Sequence, residues 1–251
     1  MVAETYNLRK GVKIMRRVTK TWTWRVGLLL VVLAFPICLG CSVGLIGAET
    51  RMPVGEPQPA PEGPEWVDLL DADHASHWEN VSDDLDIFHI EDGELHIPGR
   101  STTRYVAYTH EAFEDFELHL EYRLGASTNS GVFIRSSLEN PVYAGMEIQV
   151  LDDHGELPST HTTGSLYDVA TPMFNMSLPT GSWNSMRIRC EGPMLTVHMN
   201  GWKILEADLD QLTMPVGKFD TPLAELSRSG HLLLQDHGGE ITYRNLLIRP
   251  L

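Results

Sequence analysis

The sequence predicts an all-β fold: an antiparallel two-sheet jelly-roll sandwich, preceded by an N-terminal signal or anchor and a linker. Three observations predict it. Short apolar stretches recur at 8–15-residue spacing along the last three-quarters of the chain. They are punctuated by Asp92-Gly93, Asn200-Gly201 and Gly238-Gly239, the turn chemistry of β-hairpins. No stretch sustains the 3.6-residue period of an amphipathic helix. Residues 65–251 are enough for one sandwich domain with a single core.

Residues 1–25 are basic, and residues 26–39 (VGLLLVVLAFPICL) are uncharged and apolar. That run is shorter than the roughly 20 residues of a membrane span. A basic flank, a short apolar core and small residues after it read as an export signal. Leu39-Gly40-Cys41 resembles the end of a bacterial lipoprotein signal, although Cys38 stands where Leu is usual. Extension through Ile46 would instead give an uncleaved anchor of about 20 residues. Residues 1–46 are therefore expected to be a signal sequence or membrane anchor, placing the protein at the cell envelope or in the periplasm. Residues 47–64, rich in Pro, Gly and Glu, read as an extended linker.

The folded part begins at Trp66. A hairpin turns at Asp92-Gly93, and residues 104–110 form the next strand. Residues 116–123 alternate Phe116, Leu118, Leu120 and Tyr122 with Glu117, His119, Glu121 and Arg123, a strand with one wet face. Strands follow at 130–136 and 145–153. Residues 153–182 are irregular, and an excursion of that length is usually functional or disordered. Further strands surround Gly192-Pro193 and Asn200-Gly201. The C-terminal hairpin turns at Gly238-Gly239, with a bulge expected at Arg244-Asn245 where the alternation slips. Its last strand is expected to pair near the first.

The chain carries 19 basic and 34 acidic side chains, for a net charge of −15. Seven of the basic ones precede residue 26, leaving 12 against 32 acidic in residues 51–251. So acidic a body repels nucleic acid and suits a neutral or cationic partner. Cys190, alone in the body, reads as an inert thiol. Phosphate loops, a GxSxG elbow and zinc-type ligand spacings are all missing from the sequence.

Three strands carry polar residues on one face: Gly131, Phe133 and Arg135; Glu147 and Gln149; Leu233, Gln235 and His237. Each face alone reads as the solvent side of a sheet. Together on neighbouring strands they would make a polar platform. Glu147 is a candidate base or metal ligand, His237 a candidate acid or base, and Arg135 a candidate holder of a carboxylate or oxyanion. The alternative for Glu147 and Arg135 is a structural ion pair across strands.

The segments DFELHLEYR, NSGVFIRS, EIQVLDD, GSLYDVATP, GSWNSMRIRCEG, VHMNGWKI and HLLLQDHGGEITYRNLLI, in that order, resemble the 3-keto-disaccharide hydrolase domain family. The likeness runs from Trp66 to Leu251. It implies an exported protein acting on glycosides already oxidised at C3, whose ketone acidifies the C2 proton so that a base expels the C1 substituent. Carried onto this chain, it implies His237 or Glu147 as base and Tyr167 as donor to the leaving oxygen. It also implies Arg135, Gln149 and Gln235 as substrate-binding residues, with a divalent cation as an alternative to Arg135. Met173, Phe174 and Met176 depart from the smaller or polar residues expected after Tyr167. The second reading is a non-catalytic carbohydrate-binding module, with Trp66, Trp78, Trp183 or Trp202 stacking on sugar rings.

Overall fold

The computed structural model describes residues 54–82, 87–100 and 103–251. The expected signal or anchor lies outside these residues. Among the described residues no helix is long and apolar enough to cross a membrane.

Thirteen strands among the described residues form two antiparallel sheets. The larger contains β1 (Val67–Asp68), β3 (His89–Glu91), β4 (Glu94–Ile97), β6 (Phe116–Leu124), β9 (Trp183–Glu191), β10 (Met194–Met199), β11 (Trp202–Asp208) and β13 (Ile241–Pro250). Its order is β11-β10-β9-β6-β13-β4-β3, with β1 also on β13. The smaller runs β2-β5-β12-β7-β8, from β2 (Trp78–Asn80), β5 (Arg104–Phe113), β12 (Gly230–Asp236), β7 (Asn129–Ser136) and β8 (Met146–Leu151). This is the predicted two-sheet sandwich.

The period-2 alternation sets which residues meet between the sheets. Leu118, Leu120 and Tyr122 of β6 lie in one core with Leu232 and Leu234 of β12, Val132 and Ile134 of β7, and Ile148 and Val150 of β8. Each such aliphatic side chain, fully buried, contributes roughly 1.5–3 kcal/mol. The first and last strands do pair: Val67 stands opposite Ile248. The expected bulge is present, as the β13 register shifts between Arg244 and Leu247 and Asn245 has φ 48°. It marks where one edge of β13 passes from β4 to β1. Cys190 is fully buried, and burial pushes its thiol pKa up to about 12.

The expected wet face of β6 is covered. Glu117, His119 and Glu121 are all at most 6 % exposed. Alternation put them outside, but side chains from neighbouring strands lie over them. Glu117 pairs with Arg187 of β9 at 2.5 Å and with Arg249 of β13. Glu121 receives Arg244 Nη2 and Asn245 Nδ2, each at 2.8 Å. The arginines in turn stack on tryptophan. Arg244 lies 3.8 Å and Arg123 4.8 Å from the Trp183 ring centroid, and Arg249 lies 5.0 Å from that of Trp66. Residues 54–64 form no strand or helix, and they lie on the domain. Glu56 N donates to Asn200 O at 3.0 Å, and Gln58 N to Ser185 Oγ at 2.7 Å.

Burial raises the Glu117 carboxyl pKa, but Arg187 and Arg249 outweigh it, so the net shift is downward from 4.5. A carboxylate with a lowered folded pKa adds stability above its unfolded pKa and loses it as pH falls through the folded one. Glu117→Gln should therefore destabilise the domain at neutral pH by about 1–2 kcal/mol, a modest figure because the arginines are partly exposed and screened. Urea melts should show the gap full above about pH 4.5 and closing below it. An equal gap at pH 3 and pH 7 would rule out the charge as its cause.

Candidate functional site

The outer face of the smaller sheet holds a cavity of 170 Å³ lined by Thr103, Tyr105, Asn129, Val142, Glu147, Gln149, Tyr167, Lys218, Gln235 and His237. Strand register explains why they meet. Gln235 stands opposite Tyr105, Leu233 opposite both Ala107 and Phe133, Phe133 opposite Glu147, and Gly131 opposite Gln149. Side chains of one parity from β5, β12, β7 and β8 thus share one face. Its apolar half is Tyr105, Ala107, Phe133 and Leu233, a small cluster separate from the main core.

The irregular excursion completes the wall. Gly164 N donates to Gln149 O at 2.8 Å, Gln149 N to Ser165 O at 3.1 Å, and Tyr167 N to Glu147 O at 2.9 Å. Residues 164–167 thereby occupy the free edge of β8 and set Tyr167 beside Glu147. A second loop brings Lys218. Gly217 has φ +55°, and a Cβ there would lie 2.1 Å from Asp168 O, so close packing on the Tyr167 segment requires glycine. Phe219, 2 % exposed, anchors the other side.

Lys218 Nζ reaches Glu147 Oε2 at 3.1 Å, with the two side chains 13 % and 5 % exposed. Burial pushes the Glu147 pKa up, and Lys218 and His237 oppose that without cancelling it. In the amide orientation that gives both ends partners, Gln149 donates to Ser130 O at 2.9 Å and to Glu147 Oε1 at 3.3 Å. Burial, with Glu147 and Asp168 nearby, raises the Tyr167 pKa, so its hydroxyl stays a proton donor at neutral pH. His237 is exposed at the rim. Its backbone N–H donates to Asn129 O at 3.2 Å, and its Nδ1 lies 3.3 Å from the Asn129 amide. Tyr105 Oη and Gln235 Oε1 are buried and meet no partner at hydrogen-bond distance, although the Gln235 side chain lies near enough to Tyr105 to oppose the upward effect of burial on its pKa. Such groups are costly unless something fills them. The cavity thus offers a base, proton donors and two unspent hydrogen-bonding atoms.

Residues 65–249 match the family described as the 3-keto-alpha-glucoside-1,2-lyase-like domain. The chain belongs to this family. A 3-keto-disaccharide hydrolase of Bacteroides thetaiotaomicron is 27% identical over 172 residues, covering 55% of this chain and 59% of that protein. This chain thus spans about three-fifths of that relative's length. The crystal structure of a candidate glycosyl hydrolase from Parabacteroides distasonis has a TM-score of 0.65 and 27% identity, over 74% of this chain and 99% of that one. A Bacillus subtilis protein with a galectin-like fold, 14% identical with a TM-score of 0.51 over 73% of this chain and 94% of that one, shares the fold alone.

Of the site residues read from the sequence of this family member, Glu147, Gln149, Tyr167, Gln235 and His237 line one cavity. Arg135 is elsewhere. Ile134 and Arg135 together face Leu232 in the β7–β12 pairing, and Arg135 has φ +47°. This β-bulge breaks the alternation that had put Arg135 on the polar face. Its guanidinium, fully buried, donates to Glu114 O at 2.7 Å, Gly192 O at 2.9 Å and Asp115 Oδ1 at 3.0 Å. The cross-strand Glu147–Arg135 pair is likewise not formed, since Glu147 takes Lys218. A divalent cation does not fit either. Among the described residues no three His, Cys, Asp or Glu side chains converge, and the Lys218 ammonium fills the place beside Glu147. The tryptophans among the described residues stand away from this cavity: Trp66 and Trp183 stack on arginines, Trp78 is buried, and Trp202 Nε1 faces Val54 O.

Sequence reasoning missed Lys218, Tyr105 and Asn129. Tyr105 was legible as the strand position in phase with Ala107. Lys218 had one signal, a lone lysine between glycine and phenylalanine in an otherwise uninformative loop.

Gly131 tests the assembly. A Cβ there would lie 2.5 Å from Glu147 Oε1 and 2.9 Å from its Cγ. Gly131→Ala should displace the carboxylate and abolish most function while the β7 backbone, which is not in the left-handed region, tolerates alanine. The expected result is a melting temperature near wild type with ligand-dependent function lost. Full function in the folded variant would show that Glu147 need not occupy this position.

Proposed function

We propose that this domain cleaves the glycosidic bond of 3-keto-glycosides by elimination and rehydration. The observation that carries the reading is the convergence of Glu147, Lys218, Tyr167 and His237 on a cavity with two unspent polar atoms. A glycan-binding module needs an aromatic platform and no titratable machinery. Here Trp66 and Trp183 stack on arginines, Trp78 is buried and the exposed Trp202 lies outside the cavity, while the titratable groups are concentrated in it.

The chemistry follows from the ketone. Glu147, buried and made more basic by burial, takes the proton from C2. The electron pair moves toward the C3 carbonyl and then forms the C1–C2 double bond as the C1–O bond breaks. His237, at the exposed rim where an aglycone leaves, gives the departing oxygen its proton. Water then adds at C1 and gives its proton to His237, and Glu147, whose proton exchanges with solvent once the aglycone has left, protonates C2. The net reaction is hydrolysis, without the oxocarbenium-like centre of two-carboxylate glycosidases. Tyr167, Tyr105, Gln149 and Gln235 supply donors and acceptors for the ring hydroxyls. The apolar run at residues 26–39 supports an exported, envelope-attached protein acting on such sugars outside the cytoplasm.

Incubating the protein with a disaccharide oxidised at C3 and following monosaccharide release tests the reading. His237→Ala should lower kcat by about 10²–10⁴-fold, as expected for a proton-transfer group, with stability changed by less than about 0.5 kcal/mol because the residue is exposed. Glu147→Ala differs. It strands a buried ammonium and should also destabilise by about 3–5 kcal/mol, so Glu147→Gln is the cleaner variant. Since the base must be ionised and its pKa is raised, the acid limb of the rate profile should lie above pH 4.5. A limb at or below the ordinary carboxylate value would exclude Glu147 as the base.

A further inference from the structure

The elimination places negative charge on the C3 oxygen, and something must stabilise it. Arg135 is spent on carbonyls and Asp115, and among the described residues no three His, Cys, Asp or Glu side chains gather to hold a cation. Lys218 is the positive charge lining the cavity. Its Nζ lies 3.1 Å from Glu147 Oε2 and 4.8, 5.5 and 5.6 Å from the ring centroids of Tyr167, Phe219 and Phe133. Three aromatic faces and a carboxylate surround the side chain, contacts that a cation makes. The group is therefore held as a charge rather than as a nucleophile.

Resting on the 3-keto-glycoside reading above, we propose that Lys218 is a catalytic residue whose ammonium stabilises the enolate oxygen formed from the substrate ketone. The ketone oxygen is two bonds from the carbon that loses the proton, so a donor adjoining the base is within reach of both. The charges also balance in sequence. Before reaction the ammonium is paired with the Glu147 carboxylate. When Glu147 takes the C2 proton it becomes neutral, and the electron pair moves onto the C3 oxygen. The ammonium exchanges one anionic partner for another and is never left unpaired in a poorly hydrated cavity. When the C1–O bond breaks, the electron pair leaves with the departing oxygen and the carbonyl re-forms. Attraction that grows as the oxygen charges is the kind that lowers a barrier rather than merely tightening binding.

The experiment compares full-length wild type with Lys218→Met, Lys218→Gln and Lys218→Arg on a disaccharide oxidised at C3. Removing one oxyanion-stabilising donor typically lowers kcat by about 10²–10³-fold. K218M and K218Q should show that loss in kcat with KM little changed, and K218R should recover part of it. Four groups act on Glu147: Lys218 and His237 from loops, Tyr105 from β5, and Tyr167 from the β8 edge. Only the first is altered, and it holds the carboxyl pKa down. The acid limb of kcat should therefore move to higher pH in K218M, which reports loss of the Glu147 pair. A lower kcat on the plateau above that limb, with KM little changed, is the effect a merely structural lysine would not produce. Circular dichroism shows which variants fold, and the comparison rests on those, with K218R as the least disruptive. Wild-type kcat in folded K218M or K218Q would overturn the proposal while leaving the reaction intact. So would borohydride trapping of substrate on Lys218, which would make it a nucleophile. Wild type inert toward the oxidised disaccharide would overturn the parent reading, and this inference with it.

Discussion

Glu147 keeps its charge where little water reaches because Lys218 stands 3.1 Å away, and much of the smaller sheet's outer face is arranged around that pair. An isolated carboxylate or ammonium in such a cavity would shift its pKa and neutralise. Together they persist, while burial still makes the carboxylate more basic than one in water. Neither residue could hold the other from a flexible position. Glu147 is on β8, where the glycine at 131 on the neighbouring strand leaves room for its carboxyl group. Lys218 is on a loop clamped by Gly217 against the Tyr167 segment and by Phe219 in the core. The loop and the excursion that supplies Tyr167 are thus two parts of one wall.

The two sheets divide the labour. The larger buries its charges in a static lattice in which Glu117 and Glu121 are saturated by arginines, and Trp66 and Trp183 are saturated by the same arginines. His119 Nε2 and Arg249 Nε are buried there without a hydrogen-bond partner, but His119 lies beside Glu121 and the Arg249 guanidinium is held by Glu117. The smaller sheet leaves Tyr105 Oη and Gln235 Oε1 buried without a partner at hydrogen-bond distance. Unsatisfied polar atoms destabilise a fold, and they concentrate where a ligand completes them. On the smaller sheet those atoms line the cavity proposed above as the site.

Much of this was legible in the sequence, for a definite reason. Alternation with period two is local, so the strands, the hairpin turns and the shared face of Glu147 and Gln149 follow from neighbours in the chain. The bulge at Arg244-Asn245 was legible because the alternation visibly slips there. The bulge at Arg135 was not, because Gly131, Phe133 and Arg135 keep perfect phase in the sequence and only the β7–β12 pairing shows the slip. The wet face of β6 was misread for a similar reason, since the arginines that cover it come from β9 and β13. Lys218 was invisible because loop placement depends on packing between segments some fifty residues apart, which no periodicity encodes.

The central claim is that reaction begins with removal of the C2 proton by Glu147. Running the reaction in heavy water with a C3-oxidised disaccharide tests it most directly. Elimination and rehydration predict one solvent deuterium at C2 of the released 3-keto sugar, and Glu147→Gln should lose both that incorporation and the release. Monosaccharide released with its original hydrogen at C2 would mean direct displacement at C1, and would contradict the account.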